Sequence, residues 1–315
     1  MGLIRASCAA CVAGVILTLS GDAAATHSGD PFAFFEPAVT LGEADRERLD
    51  RREPIVRILP AREGELGVFV VSRLDAPPEA LIAWTHAIEA FKQSPFVLAI
   101  RRFSEPPVPE DLDGLRLDDV DLEEIRACRP GRCGVKLTDK EIVSMAAVVA
   151  TGGEAWTEAV QHEFRRIVLA RLETYRESAE GITTSLAGYP GIEPTDSESF
   201  FYWSKERYGR AKPIVAVTHV TIIRSDAPGQ PAVLVAGREV FATHYRVASL
   251  GLTAVVCDPA RDVSYLVHVN RSHVDLLGGV FGGLRRIFIE GRIRSEGPGL
   301  LARARERLES GDPPP

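Results

Sequence analysis

Residues 213–224 read as a long strand that is apolar on both faces. Ile214, Ala216, Val220 and Ile222 fall on one side, and Val215, Val217, His219 and Ile223 on the other. A strand of this kind has no side to leave in water, so the sheet that holds it must be covered twice. Helices are expected over one face. The other face is expected to meet a ligand, a cavity-filling helix or simply packed side chains.

The elements around this strand fit an α+β chain. Residues 66–73 read as a strand through Val68, Phe69, Val70 and Val71. Asp75-Ala-Pro-Pro-Glu79 then opens a helix, with proline in the first turn and an acid near the start. Leu81, Trp84, Ile88 and Phe91 recur at helical spacing and are expected to face the core. Strands follow at 97–103, 233–235, 239–248, 250–257 and 263–270, and a helix at 300–308. Short breaks between the late strands favour antiparallel pairing. Residues 104–200 interrupt this order. They begin with the stiff Pro106-Pro107-Val108-Pro109, and at 157–180 carry the best helix, with Val160, Phe164, Ile167, Val168, Leu172 and Tyr175 in one stripe. The organisation expected is an N-terminal extension at 26–53, with a short exposed helix at 43–53. A single domain at 54–312 follows, with a helical insertion near 104–200.

Residues 1–25 carry the marks of a secretory signal peptide: Arg5, an apolar run at 8–19 and Ala23-Ala24-Ala25. Export to the periplasm or beyond is therefore expected, with no second apolar run of spanning length. A net charge of -7 without a basic tract argues against nucleic acid as a partner. In an exported chain Cys128-Arg-Pro-Gly-Arg-Cys133 reads as a disulfide closed over a Pro-Gly turn. A redox dithiol has a shorter spacing, and a metal pair needs two more ligands. Cys257, in an apolar run, reads as a buried inert thiol.

Candidate site residues come from the late strands. His219, His244 and His268 lie on three neighbouring strands, and His273 follows. Three converging imidazoles would hold zinc, but each also reads as a histidine satisfied by a local hydrogen bond, and no metal or other cofactor is assigned. Arg246 interrupts an apolar strand, so it must be paired. Its partner is a ligand carboxylate or phosphate or an internal carboxylate such as Glu239, unless the side chain is simply exposed at an edge. The run Phe200-Phe201-Tyr202-Trp203-Ser204-Lys205-Glu206 suits a ligand mouth or the seam between insertion and sheet. Gly278-Gly279-Val280-Phe281-Gly282-Gly283 lacks the Lys-Ser/Thr of a phosphate loop and reads as an apolar gate or a close-packed helix start. Leu276, Leu277, Val280 and Phe281, followed by Arg285, Arg286, Arg292 and Arg294, suit a transient contact with a membrane surface. No nucleophile elbow, Ser-His-Asp order or HExxH helix is present.

The strand Val68 to Val71, the run Leu74-Asp75-Ala76-Pro77-Pro78-Glu79, the helix through Trp84 and Phe91, and the late strands before a final helix together resemble the START-like, helix-grip superfamily. The resemblance covers 66–103 and 213–308. It implies a curved antiparallel sheet of about seven strands, packed on a long C-terminal helix around an apolar cavity. Members bind lipids, sterols or polyketides, and a few are cyclases. The chain also resembles uncharacterised exported bacterial proteins with a similar Cys-x4-Cys and Phe-Tyr-Trp-Ser-Lys-Glu run. The function expected is the binding of a hydrophobic small molecule or lipid, with His219, His244, Tyr245, Arg246, Trp203 and Phe281 around it. Two alternatives stand beside it. One is an enzyme of cyclase or hydrolase type with a cavity histidine as general base. The other is an envelope interaction protein using the Trp203 run.

Overall fold

A computed structural model describes residues 30–178, 197–227, 229–278, 282–311 and 313. Eight strands form one antiparallel sheet: β1 (Ile55–Leu59), β2 (Glu65–Leu74), β3 (Val97–Arg102), β4 (Ser197–Glu206), β5 (Ile214–Arg224), β6 (Val233–Ala242), β7 (Arg246–Asp258) and β8 (Val263–Val274). Their spatial order is β1-β2-β8-β7-β6-β5-β4-β3. β1 and β3 do not pair with each other, so the sheet stays open. Seven α-helices lie among the described residues: α1 (Glu43–Asp50), α2 (Pro78–His86), α3 (Ile88–Phe91), α4 (Asp119–Ala127), α5 (Asp139–Thr151), α6 (Trp156–Glu177) and α7 (Gly282–Glu309).

The α+β class and the C-terminal helix stand as expected, but the strand count is eight, not about seven. β1 is a short partner added outside β2, in register from Ile55 opposite Val71 to Leu59 opposite Gly67. β4 is the aromatic run itself, so the insertion ends before 197 rather than at 200. Residues 233–235 and 239–242 join into one strand, β6. The chain then turns through Thr243-His244-Tyr245, where Tyr245 has a φ of 60°. Nor does the sheet curl around the last helix. α7 runs against β1, β2 and α2 at one edge. Its C-terminal end is clasped there. Arg307 donates to the carbonyls of Phe91 and Gln93, and the Trp84 indole donates to the Gly311 carbonyl at 2.9 Å.

Both faces of the sheet are covered, by unlike partners. On one face, two clusters share the area. The insertion helices pack Leu122, Met145, Val160, Phe164 and Leu172 against Phe201, Trp203, Val215 and Val217. The N-terminal segment packs Phe32, Phe35, Val39 and Leu49 against Phe69, Val71, Leu252, Ala254 and Val267. The folded body therefore begins by Asp30, not near Pro54. Helix α1, expected to be exposed, buries Leu49 completely. On the opposite face α2, α3 and the end of α7 pack Leu81, Trp84, Ile88, Leu301 and Leu308 over Val70, Phe200, Val220, Ile222 and Leu266.

Cys128 and Cys133 have their sulfurs at bonding distance, at the end of α4. Cys257 is exposed rather than buried. Alternation along β7 turns Val256 and Asp258 inward and Cys257 outward.

Burial of Phe32 at 1% exposure makes the N-terminal segment part of the stability of the whole. Phe32→Ala is expected to lower the unfolding free energy by roughly 3–5 kcal/mol in chemical denaturation. A loss below about 1 kcal/mol would mean that the segment is not docked.

Candidate functional site

A cavity of about 370 Å³ lies between the sheet and helices α2–α3. Its roof is Leu81, Thr85, Ile88 and Phe91, with Lys92 just beyond α3. Its floor comes from alternate residues of five strands. β4 gives Tyr202, Ser204 and Glu206, and β5 gives Ala216, Thr218 and Val220. β6 gives Val235, Gly237 and Glu239, β7 gives Arg246, Ser249, Gly251 and Thr253, and β8 gives His268 and Asn270.

Two glycines open the middle of that floor. Gly237 on β6 pairs with Gly251 on β7, and both line the cavity. A Cβ at Gly251 would sit 3.4 Å from Asn270 Nδ2 and 3.5 Å from His268 Cε1, and one at Gly237 3.6 Å from Thr218 Cγ2. Side chains at these places would therefore fit without backbone clash and would fill the space. Glycine in a strand interior weakens the strand and leaves room above it.

The cavity has two kinds of wall. Leu81, Ile88, Phe91, Val220 and Val235 are apolar. Beside them runs a polar floor. Thr253 Oγ1 and His268 Nδ1 are 2.9 Å apart, the Asn270 amide donates to Ser249 Oγ at 3.3 Å, and Ser272 Oγ donates to Asn270 Oδ1 at 2.6 Å. Burial, with Lys92 adding to it, pushes His268 down to about 4 and keeps it neutral near pH 7.

At one end four charges meet. Glu206 accepts from Lys92 Nζ at 2.8 Å, Ser204 Oγ at 2.8 Å and Tyr208 OH at 2.5 Å. Burial alone would raise its carboxyl. Lys92, Arg246 and these hydrogen bonds overcome that and hold it well below the usual carboxylate range. Burial opposes the Lys92 charge, and Glu206 more than restores it. Tyr208 is pushed up by burial and by the Glu206 charge. The second pair is Arg246 and Glu239, with Nε 2.9 Å from Oε2. This is the internal carboxylate weighed for Arg246 from sequence. Burial dominates at Glu239 and lifts its carboxyl to about 6, although Arg246 pulls the other way.

Of the residues expected around a ligand, Arg246 lines the cavity. His219 does not: it lies on the opposite face, stacked on Phe201 with centroids 4.4 Å apart, its Nδ1 3.2 Å from Tyr175 OH of α6. Trp203 is buried under the insertion, its indole donating to the Asp111 carbonyl at 2.8 Å. His244 is buried with Nε2 2.9 Å from Asp121 Oδ1 of α4. Tyr245 is half-buried, and its hydroxyl accepts from the Lys212 backbone N–H at 3.1 Å. Phe281 lies outside the described residues. The late histidines do not converge. His268 faces the cavity, His219 the insertion and His244 the α4 seam, while His273 is exposed beside Gly64.

Asp121, Glu124 and His244 offer ligand atoms within 4.8 Å of one another. Lys212 already sits against Glu124, and His244 is spent on Asp121. These contacts bind the insertion to the sheet, with the Lys212 ammonium against Glu124.

The site residues missed in the sequence carry a readable signal. In 249–254, Ser249, Gly251 and Thr253 alternate with Leu250, Leu252 and Ala254. Small and polar residues on one face of a strand that is apolar on the other are what a hollow floor requires. Lys92 has no such mark. It becomes a cavity residue because β4 brings Glu206 to it from 114 residues away.

Comparison with protein-family models, with curated proteins and with solved structures finds no match to this chain.

His268 and His219 are both held at about 4, first by burial, against an ordinary value of 6.5. A histidine held low in the fold favours the neutral form. Its contribution is whole above pH 6.5 and is lost as pH falls from there toward 4. Unfolding free energy is expected to drop by on the order of 1–3 kcal/mol per histidine across that window. Denaturation curves of His268→Gln and His219→Gln are each expected to show a shallower drop than wild type.

Proposed function

We propose that this chain binds an amphipathic small molecule, apolar or lipid-like in its body, in the cavity between the sheet and α2–α3. The observation that carries the reading is the Gly237–Gly251 pair in a floor otherwise built of side chains. Packing alone has no use for two facing glycines at the centre of a sheet, where either position has room for a side chain. The volume of about 370 Å³ falls within the roughly 300–1,000 Å³ of small-molecule sites. Apolar area removed from water there contributes about 25 cal/mol per Å². The polar end requires a ligand with a polar end of its own.

The START-like kinship belongs to the same proposal. An antiparallel sheet with a cavity on one face and a long C-terminal helix is compatible with it. So does export. The Cys128–Cys133 pair suits an oxidising compartment, and no helix among the described residues is long and apolar enough to cross a membrane. An enzymatic use of the cavity is a second reading. It rests on His268, neutral and turned toward the cavity, in place of His219 or His244.

Leu284, Ile287 and Phe288 follow helical spacing on α7 and are 70–71% exposed, with Arg285 and Arg286 between them. We assign the transient membrane contact to this face. Leu277, named for that contact from sequence, is buried. Flotation with anionic vesicles is expected to carry wild type and leave behind the triple variant Leu284→Ser, Ile287→Ser, Phe288→Ser. Equal flotation of the two would remove the assignment.

Gly251→Leu tests the cavity. Native mass spectra of the purified protein, before and after organic extraction, are expected to reveal a bound mass in wild type that Gly251→Leu lacks. The melting temperature of the variant should be unchanged or higher. If wild type carries no guest and a lipid panel shifts no melting temperature, the reading fails.

A further inference from the structure

We infer that the cavity takes a ligand with an anionic oxygen head on an apolar body, and that this head displaces Glu239 from Arg246 as Glu239 takes up a proton. The inference rests on the ligand-binding reading above and adds the chemistry of the head.

The two ion pairs at the charged end are not equivalent. The Lys92–Glu206 pair is closed. Both Glu206 oxygens are occupied by Lys92, Ser204 and Tyr208, and the ammonium also reaches Tyr202 OH at 3.1 Å. The Arg246–Glu239 pair is open. Nε and Oε2 are 2.9 Å apart, yet buried Nε completes no hydrogen bond in that alignment. Among the described residues Glu239 is the one carboxylate within ion-pair distance of Arg246. A guanidinium carries five N–H donors in a flat fork that matches a carboxylate or phosphate two bonds at a time. Arg246 thus brings unspent donors to the cavity wall, and an incoming oxyanion can use them better than Glu239 does.

The exchange must balance charge. With both pairs ionised, Lys92 and Arg246 offset Glu206 and Glu239. A second anion at Arg246 would leave Glu239 buried, beside like charge and without its partner. A proton from solvent on Glu239 restores neutrality: the ligand brings one negative charge and Glu239 loses one. The groups facing Glu239 support this direction. Arg246 of β7 and Lys92 beyond α3 favour its charge, as does Lys136 before α5 from farther off, while Glu206 of β4 opposes it. Tyr202 OH accepts from Lys92, Tyr208, pushed up by burial and by the Glu206 charge, keeps its proton and donates it to Glu206, and His268 of β8 is neutral. Burial has already lifted Glu239 to about 6 with Arg246 in place, so loss of Arg246, which pulls it down, raises it further.

The test is calorimetric titration with three probes of one chain length: decanoate, decanesulfonate, whose head stays ionised at every working pH, and decanol. At pH 7 both anions are expected to bind about tenfold or more tightly than decanol. Decanesulfonate binding should weaken as pH rises from 6 to 8, by at most about tenfold per unit for one coupled proton. Glu239→Gln should bind decanesulfonate with a flat pH profile, and Arg246→Gln should lose the preference for anions. Because Arg246→Gln strands Glu239, the double variant Glu239→Gln, Arg246→Gln serves where the single one fails to fold, and it should show the same loss. Equal binding of decanol and the anions overturns the inference and leaves the cavity reading standing. Anion preference with a flat wild-type profile overturns the proton uptake. Binding of none of the three overturns the cavity reading and this inference with it.

Discussion

A sheet whose central strands are apolar on both sides folds only when both sides are covered, and here the two covers are unequal. On one face the insertion and the N-terminal segment close completely, with Phe32, Leu49, Phe164 and Trp203 at or below 2% exposure. On the other face α2, α3 and the end of α7 pack over the sheet but leave a hollow of about 370 Å³ beneath α2–α3. α7 is held against β1 and β2, and α2–α3 bridge above the middle strands. The dense cover fixes the register and shape of the sheet, so the sparse cover can leave space without loss of a single folded state.

The charged end of the cavity depends on the same arrangement. Glu206 is buried and has little water to solvate it, so its charge depends on the partly buried Lys92 beside it. The sheet supplies Glu206 from β4, and the end of α3 supplies Lys92. That pair ties the roof to the floor at one end of the cavity. At the edge beside β2, Arg307 and Trp84 tie α7 to the same two helices. The roof is thus held where it meets the sheet and does not need apolar filling beneath it.

Much of this was legible in the sequence, for local reasons. The helix from Asp75-Ala-Pro-Pro-Glu79 begins as α2 at Pro78, and Leu81, Trp84 and Ile88 are buried as their spacing predicts. The two faces of 213–224 separate as read: Ala216 and Val220 line the cavity, and Val215, Val217 and His219 meet the insertion. What escaped was set by distant partners. β1 is a strand because β2 offers it an edge, and the aromatic run becomes β4 because β3 and β5 flank it. His219 and His244 read as cavity residues because no local signal says which face of a strand will be roofed by which helices. Period two separates faces without naming them.

The features that weaken this fold gather in one place. Gly237 and Gly251 each reduce strand stability by roughly 0.5–1 kcal/mol relative to alanine. Buried ion pairs such as Arg246–Glu239 contribute little or nothing net beside well-packed apolar side chains. A hollow over the sheet gives up contacts that the opposite face makes in full. Each of these could be replaced by a larger apolar residue compatible with the local backbone. Their coincidence around one volume of about 370 Å³ is the pattern expected where sequence is held by function rather than by stability.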